Sequence, residues 1–274
     1  MTMESHEEYS EKLALLAAEL LVASRLAGRQ FSSLPVQVRP RTVEDGYLVQ
    51  RVARDVLSHS GFGRHGGWKI GCTTSVMQEF LGVESPVSGA MFRHSMWHGQ
   101  HRFAVAPPCV LGVECEIAVR LGDDLPGGGQ PYSTGDVADA VSAVMAAIEV
   151  VQDRYIDYRA LDIPTLVADD FFHYGCVLGV EDESRDPHEL GDATASMSIN
   201  GVDVGHGRGS DILGHPLVAL AWLVNNCAVL GTPVLAGDIV LLGSVVQTQW
   251  VDSGDVVVVH NDMLGDVSAS FSTR

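Results

Sequence analysis

The clearest pattern in the chain is the alternation of apolar and polar positions over residues 110–121. Apolar side chains recur there at every second position, namely Val113, Cys115, Ile117, Val119 and Leu121. This period predicts a β-strand with one buried face. Glu114 and Glu116 lie on the opposite face of that strand. Because side chains two residues apart in a strand point the same way, we expect their carboxylates to converge.

The glutamate pair of this strand has two interpretations. Two carboxylates side by side on a half-buried strand repel each other unless a cation lies between them. Mg²⁺ takes oxygen ligands and fits such a pair. The alternative is a solvated strand face, because a chain with 35 acidic residues can contain a Glu-x-Glu by chance. The pair alone does not decide between the two.

Helical segments are predicted by apolar spacing and by helix-start signals. They cover residues 7–27, 42–58, 74–81, 136–147 and 215–226. Gly28 is expected to end the first helix. Thr42 can cap the second, with Asp45 at the third helical position. Pro216 occupies a favoured first position of the last helix.

The last forty residues alternate strand-like runs with turns. The runs are residues 239–242, 256–259 and 267–271. They suggest antiparallel sheets that close into a barrel or roll. The glycine-rich connector at 61–67 is a candidate boundary. We therefore expect an α+β chain with a helical N-terminal segment (1–66) and a β-rich domain (67–274).

Composition narrows the class of protein. The chain has 274 residues and a net charge of −18, which argues against nucleic acid and anionic membranes as partners. No apolar run approaches the length needed to cross a bilayer, and we expect no signal peptide. Five cysteines without a Cys-x-x-Cys favour a reduced, cytoplasmic protein without a zinc knuckle.

Two further charged residues are candidates for chemistry. Glu149 lies in an apolar run, where a carboxylate is costly unless it is paired or bound to a metal. It can supply a third ligand, or it can pair with Arg154 or Arg120. Lys69 lies in an apolar, strand-like stretch, where a lysine can act as proton donor or carbonyl polariser. The alternative is a lysine of an edge strand with its amine in water.

Six motifs occur in the order of one known family. They are Lys-Ile-Gly-Cys-Thr-Thr (69–74), Leu-Gly-Val-Glu-Ser-Pro-Val-Ser-Gly (81–89), Glu-Cys-Glu-Ile-Ala (114–118), Ala-Ile-Glu-Val-Val-Gln-Asp-Arg (147–154), Val-Ala-Asp-Asp (167–170) and Gly-Asp-Ile-Val-Leu-Leu-Gly (237–243). On these motifs the chain resembles the 2-oxopent-4-enoate hydratase and 4-oxalocrotonate decarboxylase family, which is related to fumarylacetoacetate hydrolase. The resemblance covers nearly the whole chain.

The resemblance implies a fumarylacetoacetate-hydrolase-like barrel or roll that carries a metal site. Mg²⁺ or Mn²⁺ would be held by Glu114, Glu116 and Glu149, and Lys69 would reach the substrate. The metal would chelate the carboxylate and 2-oxo oxygen of a 2-oxo or 2-hydroxydienoate acid. The metal and Lys69 would stabilise the charge of an enolate. From that enolate, either water adds to the conjugated chain or a remote carboxyl group leaves as CO₂.

Substrate contacts are also expected from residues within or beside the motifs, namely Phe172, His173, Gly243 and Ser244. The chain departs from the hydratase pattern at Val87, where hydratases usually carry an aspartate. The chain departs again at Phe172 and His173, where the family has small residues. Residues 154–158 look more like the decarboxylase branch.

We therefore expect a metal-dependent lyase, with decarboxylation slightly ahead of hydration. An isomerase or cyclase that uses the same enolate is an alternative, as is a non-catalytic partner subunit. The expected partner is a small 2-oxo acid. A homo-oligomer is expected, and a complex with a related pathway enzyme is an open alternative.

Overall fold

The β-strands form two open sheets, and a computed structural model describes residues 9–74, 77–79 and 82–273 of the chain. The larger sheet has the order β2 (Val87–Phe92), β1 (His65–Gly71), β10 (Ile239–Ser244), β5 (Val110–Leu121), β6 (Val141–Asp153), β7 (His173–Leu178) and β3 (Met96–His98), with β11 (Gln249–Val251) added beside β5. The smaller sheet has the order β4 (Gln100–Val105), β13 (Gly265–Thr273), β12 (Val256–Asn261), β8 (Thr194–Ile199) and β9 (Val202–Arg208).

Within the described residues neither sheet closes on itself, so the prediction of a barrel is wrong. The larger sheet has β2 and β3 at its edges, and the smaller sheet has β4 and β9. The reason lies in the C-terminal strands, some of which belong to the larger sheet and some to the smaller one. β10 runs parallel to β1 in the larger sheet, whereas β12 and β13 pair in the smaller one. The mixture of helices and strands agrees with the α+β expectation.

The main apolar core includes the inward face of β5. Its alternate side chains, predicted to share a face, all belong to this core, namely Val113, Cys115, Ile117, Val119 and Leu121. Helix α5 (Pro216–Val229) adds three buried leucines and Val224 to the same core. The opposite face of β5 is therefore free to carry the two glutamates.

Two N-terminal helices pack together beside the larger sheet. Helix α1 (Glu11–Ala27) ends at Gly28, whose φ of 59° is the left-handed conformation that glycine tolerates best. Helix α2 (Val43–His59) begins with the predicted capping box of Thr42 and Asp45. Their apolar faces share a cluster with Phe92 of β2. The division of the chain between residues 66 and 67 remains a proposal.

The helix predicted over residues 136–147 is wrong for most of its length. Helix α3 covers only Thr134–Asp139, and β6 begins at Val141. The β6 run is buried on both faces, and an apolar run of this kind does not distinguish a buried strand from a buried helix.

The remaining helical segments are short or only partly described. Helix α4 (Ile163–Ala168) begins after Asp162, whose side chain caps it, and packs against α2. Part of the predicted helix at 74–81 lies outside the described residues. Among the described residues, no helix is long and apolar enough to span a membrane.

Candidate active site

The three glutamates predicted as metal ligands lie together on one face of the larger sheet. Strands β5 and β6 are antiparallel, with Glu114 opposite Glu149 and Glu116 opposite Ala147. Side chains directly opposite each other in such a pair are about 5 Å apart at Cβ. One oxygen of each carboxylate lies within 4.8 Å of the other two. We refer to Glu114, Glu116 and Glu149 as the glutamate cluster.

Each carboxylate of the glutamate cluster is fixed by a neighbour. The Gly243 N–H donates a 2.7 Å hydrogen bond to Glu116 Oε2, and the Thr248 hydroxyl donates to Glu114 Oε1. Glu149 Oε1 lies 3.4 Å from the Nζ of Lys69.

Two fully buried oxygens of the cluster have no such neighbour. Glu116 Oε1 and Glu149 Oε2 are buried without any hydrogen-bond partner among the described residues. Unsatisfied buried acceptors are costly, so these two oxygens fit a bound cation. Three carboxylates without nitrogen or sulfur ligands suit a hard divalent cation such as Mg²⁺, Mn²⁺ or Ca²⁺.

The charges of the cluster are not balanced by the protein itself. Burial, together with Glu149 and Glu114, raises the pKa of Glu116 well above its usual range. Burial and Glu149 also raise the pKa of Glu114. Burial acts in the same direction on Glu149, but Lys69 and His173 outweigh it and lower the pKa of that carboxyl. Burial and mutual repulsion therefore disfavour the charged forms of Glu114 and Glu116, and a nearby cation would favour them.

Lys69 lies inside the sheet rather than at its edge. Strand β1 runs between β2 and β10, and Lys69 is 2% exposed. The alternative of an edge-strand lysine in water is therefore wrong. Burial alone would lower the pKa of Lys69, but the glutamate cluster outweighs it and raises this pKa. The ring of Phe171 lies against the ammonium, with 5.1 Å between Nζ and the ring centroid.

The structure places Phe172 and His173 in different surroundings. His173 is buried, and its Nδ1 lies 2.8 Å from Glu149 Oε1, so it contacts the glutamate cluster directly. Phe172 is half-buried and packs edge-on against Tyr155, Tyr158 and Phe171. Their roles as substrate contacts remain predictions.

Gly243 and Ser244 lie beside the glutamate cluster with their polar groups engaged. Gly243 donates its N–H to Glu116, and a Cβ at this position would lie 2.3 Å from the Thr73 hydroxyl. Its φ of 136° also favours glycine. The Ser244 hydroxyl donates to the Val246 carbonyl at 2.6 Å. Their contribution to substrate binding also remains a prediction.

Sequence reasoning missed several residues that shape this site. Thr248 and Phe171 contact the glutamate cluster or Lys69, yet neither lies in a pattern that indicates such a role. His173 was expected in a pocket wall, and its contact with Glu149 is an additional finding. All three contacts join strands or turns distant in sequence, so no local spacing could reveal them.

Comparison with known proteins identifies the family. Residues 88–272 match the fumarylacetoacetate (FAA) hydrolase C-terminal family. The chain belongs to the FAA hydrolase family. The matched region contains the whole glutamate cluster, whereas Lys69 precedes it. The resemblance drawn from the six motifs is thereby confirmed.

Two hydratases and one decarboxylase are similar to this FAA hydrolase family member over most of its length. It is 32% identical over 260 residues to 2-keto-4-pentenoate hydratase from Burkholderia vietnamiensis, covering 95% of this chain and 97% of that protein. It is 34% identical over 226 residues to 2-keto-4-pentenoate hydratase from Paraburkholderia phymatum, covering 82% and 85%. The structure of 4-oxalocrotonate decarboxylase from Pseudomonas putida G7, complexed with magnesium and adipate, matches with a TM-score of 0.85 and 26% identity, covering 96% and 98%.

Proposed function

We propose that this FAA hydrolase family member is a metal-dependent lyase that acts on a small 2-oxo or 2-hydroxydienoate acid through an enolate. The observation that carries the proposal is the pair of unpartnered, buried glutamate oxygens, within the described part of the chain, beside the buried ammonium of Lys69. Such a site offers a cation and a hydrogen-bond donor to the same small anion. The names of its relatives support the substrate class.

The cation proposed for the glutamate cluster is Mg²⁺ or Mn²⁺. When bound, it supplies a Lewis acid that favours negative charge on the oxygens of a 2-oxo acid. The protein prepares the three carboxylates for it through the Gly243 N–H, the Thr248 hydroxyl and the His173 imidazole. These contacts fix the carboxylate orientations before the cation binds.

Lys69 is proposed as the catalytic donor to the substrate. Its ammonium is held by Glu149 and covered by Phe171, so it is oriented and sheltered from water. From there it would donate a hydrogen bond to the 2-oxo oxygen and stabilise the charge that develops on it. A donor fixed in advance in a dry site needs little reorganisation during the reaction.

Hydration is the reaction that the relatives support best. The 2-hydroxydienoate would first tautomerise to the conjugated 2-oxo acid, by transfer of the hydroxyl proton to the far end of the diene. Water oxygen would then bond to the carbon two positions from the 2-oxo carbon and lose a proton, while the C=C electron pair moves toward the 2-oxo oxygen to give the enolate. A proton would add to the carbon between them as the 2-oxo group re-forms, so that one water is added overall. The two relatives at 32% and 34% identity are both named hydratases, whereas the decarboxylase shares 26%. The preference for decarboxylation drawn from the sequence is therefore not kept.

Decarboxylation remains the second candidate because of one position in the fold. Val87, where hydratases were expected to carry an aspartate, is buried in an apolar cluster with Phe171. In this reaction the bond to a remote carboxylate breaks, and its electron pair moves toward the same 2-oxo oxygen as CO₂ leaves.

A cytoplasmic location, a homo-oligomer and a complex with a related enzyme also remain proposals.

Product analysis tests the proposed function. Purified protein is incubated with 2-hydroxypenta-2,4-dienoate or 4-oxalocrotonate, with Mg²⁺, with Mn²⁺ or with a chelator. Hydrated product is measured by mass spectrometry and CO₂ by its release. We expect turnover that needs the cation and is lost in Glu149→Gln.

The matched control is Glu183→Gln, because Glu183 is an exposed partner of Arg120 and does not belong to the glutamate cluster. It should retain turnover. Turnover that survives both the chelator and Glu149→Gln would contradict the proposed site. The absence of turnover of either acid with either cation would contradict the proposed function.

A further inference from the structure

The turn that leads into β7 holds three consecutive residues in the left-handed region. The φ angles are 56° at Asp170, 46° at Phe171 and 68° at Phe172. Residues other than glycine seldom adopt this region, because their Cβ crowds the following carbonyl oxygen. Such conformations persist only where the surroundings impose them, and they concentrate at functional sites. The contacts that impose this turn are therefore of interest.

The turn delivers two side chains to the proposed catalytic groups. Phe171 places its ring against the Lys69 ammonium, and a Cβ on Gly71 would lie 2.9 Å from that ring. The residue that follows the turn is His173, which contacts Glu149. The backbone of the turn is also tightly seated, since a Cβ on Gly89 would lie 2.5 Å from the Asp170 carbonyl oxygen.

Arg25 reaches this turn from the last turn of α1. Its Nη1 donates a 2.8 Å hydrogen bond to Asp170 Oδ2, and its Nη2 donates to the Asp169 carboxylate. The Arg25 side chain is 10% exposed, and the two aspartate side chains are 4% and 3% exposed. The N-terminal helix therefore meets the turn through buried charges rather than through a solvated surface pair.

The two aspartates depend on Arg25 to different degrees. Asp169 also accepts from Arg154 Nε at 2.6 Å and from the Tyr155 hydroxyl at 2.7 Å. Asp170 accepts from the Ala90 N–H at 3.0 Å, but Arg25 is its only charged partner among the described residues. We refer to Arg25, Arg154, Asp169 and Asp170 as the arginine–aspartate network.

We propose that Arg25 is a positioning residue of the active site, which acts through Asp170 to hold Phe171 against Lys69. The inference rests on the proposed function of Lys69. Without the guanidinium, Asp170 is a buried carboxylate with no counter-charge, and its left-handed conformation loses a main restraint. The turn then relaxes, Phe171 withdraws, and water reaches the ammonium that must stay oriented. The N-terminal helix thus contributes to catalysis although Arg25 contacts no substrate.

Lysine resonances give a test that does not depend on activity, because Lys12 and Lys69 are the only lysines of the chain. Protein labelled with ¹³C-lysine is compared by NMR as wild type, Arg25→Ala, Arg25→Lys and Phe171→Leu. The Phe171 ring should displace the Lys69 methylene signals from those of exposed Lys12. We expect Arg25→Ala to move the Lys69 signals toward the positions seen in Phe171→Leu, and Arg25→Lys to restore them in part.

Kinetics on the same proteins give the second readout. We expect kcat of Arg25→Ala to fall about 10- to 100-fold, as for other small displacements of catalytic groups, while KM stays within about twofold. Added ethylguanidinium should recover part of kcat. The matched control is Arg51→Ala, which removes an exposed ion pair between α2 and Glu11 of α1 and should change neither readout.

Two results would overturn the proposal: unchanged Lys69 signals in folded Arg25→Ala, or a kcat within about twofold of wild type. If Arg25→Ala does not fold, Asp170→Asn removes the same ion pair and is judged by the same signals. If wild type converts neither acid while the Lys69 signals move as expected, the positioning stands and the proposed function fails. If wild type turns over while the signals stay unmoved, the proposed function stands and the positioning fails.

Discussion

The glutamate cluster and the arginine–aspartate network are both buried and charged, yet they differ in whether their oxygens have partners. All four carboxylate oxygens of the network accept a hydrogen bond. Two fully buried oxygens of the cluster accept none from the described part of the chain. Two guanidinium groups balance two aspartates, whereas one ammonium faces three glutamates. A charged group whose oxygens all accept hydrogen bonds is suited to fixing structure. A charged group with buried oxygens that accept none is suited to binding a ligand.

The direction of the pKa shifts expresses the same difference. Burial opposes ionisation of Asp169, but Arg154 and Arg25 outweigh it and lower the pKa of that carboxyl. Burial and the neighbouring glutamates together raise the pKa of Glu116 well above its usual range. Two equally buried carboxyl groups therefore have pKa shifts in opposite directions, and the surrounding charges decide which of them is suited to binding a cation.

Neutralising one carboxylate should destabilise the protein in the arginine–aspartate network but not in the glutamate cluster. Asp169→Asn should lower the free energy of unfolding by about 3–5 kcal/mol, because it leaves buried guanidinium charge unpaired. Glu116→Gln should leave the stability of metal-free protein unchanged or raise it, since glutamine resembles the uncharged form that the site favours. Both values are measured by urea unfolding in the presence of a chelator.

Exposed Glu183→Gln is the control for both variants and should change stability by less than about 1 kcal/mol. Added Mg²⁺ should stabilise wild type by mass action and leave Glu116→Gln almost unaffected. A loss of stability of the same size in Asp169→Asn and Glu116→Gln would remove the distinction between the two groups.

The next largest effect is expected from Lys69→Met. Loss of a fixed donor to a developing oxyanion typically costs two to three decades in rate, or about 2.7–4 kcal/mol. Metal affinity, measured by calorimetry, should stay the same or rise, because the ammonium repels the cation. Lys12→Met is the matched control, since Lys12 is exposed on α1. A rate of Lys69→Met within about twofold of wild type would leave Lys69 with a structural role only.

A smaller effect is expected from Phe172, which packs in the aromatic group at the end of the strained turn. Phe172→Ala should change the ratio of specificity constants for 4-oxalocrotonate and 2-hydroxypenta-2,4-dienoate by about tenfold, or about 1.4 kcal/mol. Phe172 is changed alone because His173 contacts Glu149.

Phe62→Ala is the control, since Phe62 is also half-buried but packs with the N-terminal helices. Its ratio should stay at the wild-type value. If the two specificity constants of Phe172→Ala fall in parallel with its melting temperature, Phe172 is a core residue rather than a pocket wall.

Local signals in the sequence predicted local structure well. The capping box at Thr42 and the glycine at position 28 set helix boundaries that the structure reproduces closely. The alternation in β5 predicted which side chains are buried. These signals are local because caps and strand faces depend on residues a few positions apart.

Signals failed where distant parts of the chain decide the outcome. The apolar run of β6 predicts a helix over part of its length, because only its neighbours in the sheet make it a strand. The candidate ligands were found through the family resemblance, while the contact of Glu149 with Lys69 required the fold. The hydrogen bond between Arg25 and Asp170 joins residues 145 positions apart, so no local spacing in the sequence predicts it.

The register of β5 against β6 makes the cation site part of the sheet itself. Glu114 faces Glu149 within a ladder that runs the whole length of β5. A register shift of one residue would point the carboxylates of the shifted strand toward the core. The strand register and the geometry of the cation site therefore depend on each other. In the connection between the two strands, Leu125 and Val137 belong to the main core, but residues 128–131 are exposed and lie outside this constraint. At this exposed turn, sequence can be inserted or exchanged in protein engineering while the spacing of the three carboxylates is kept.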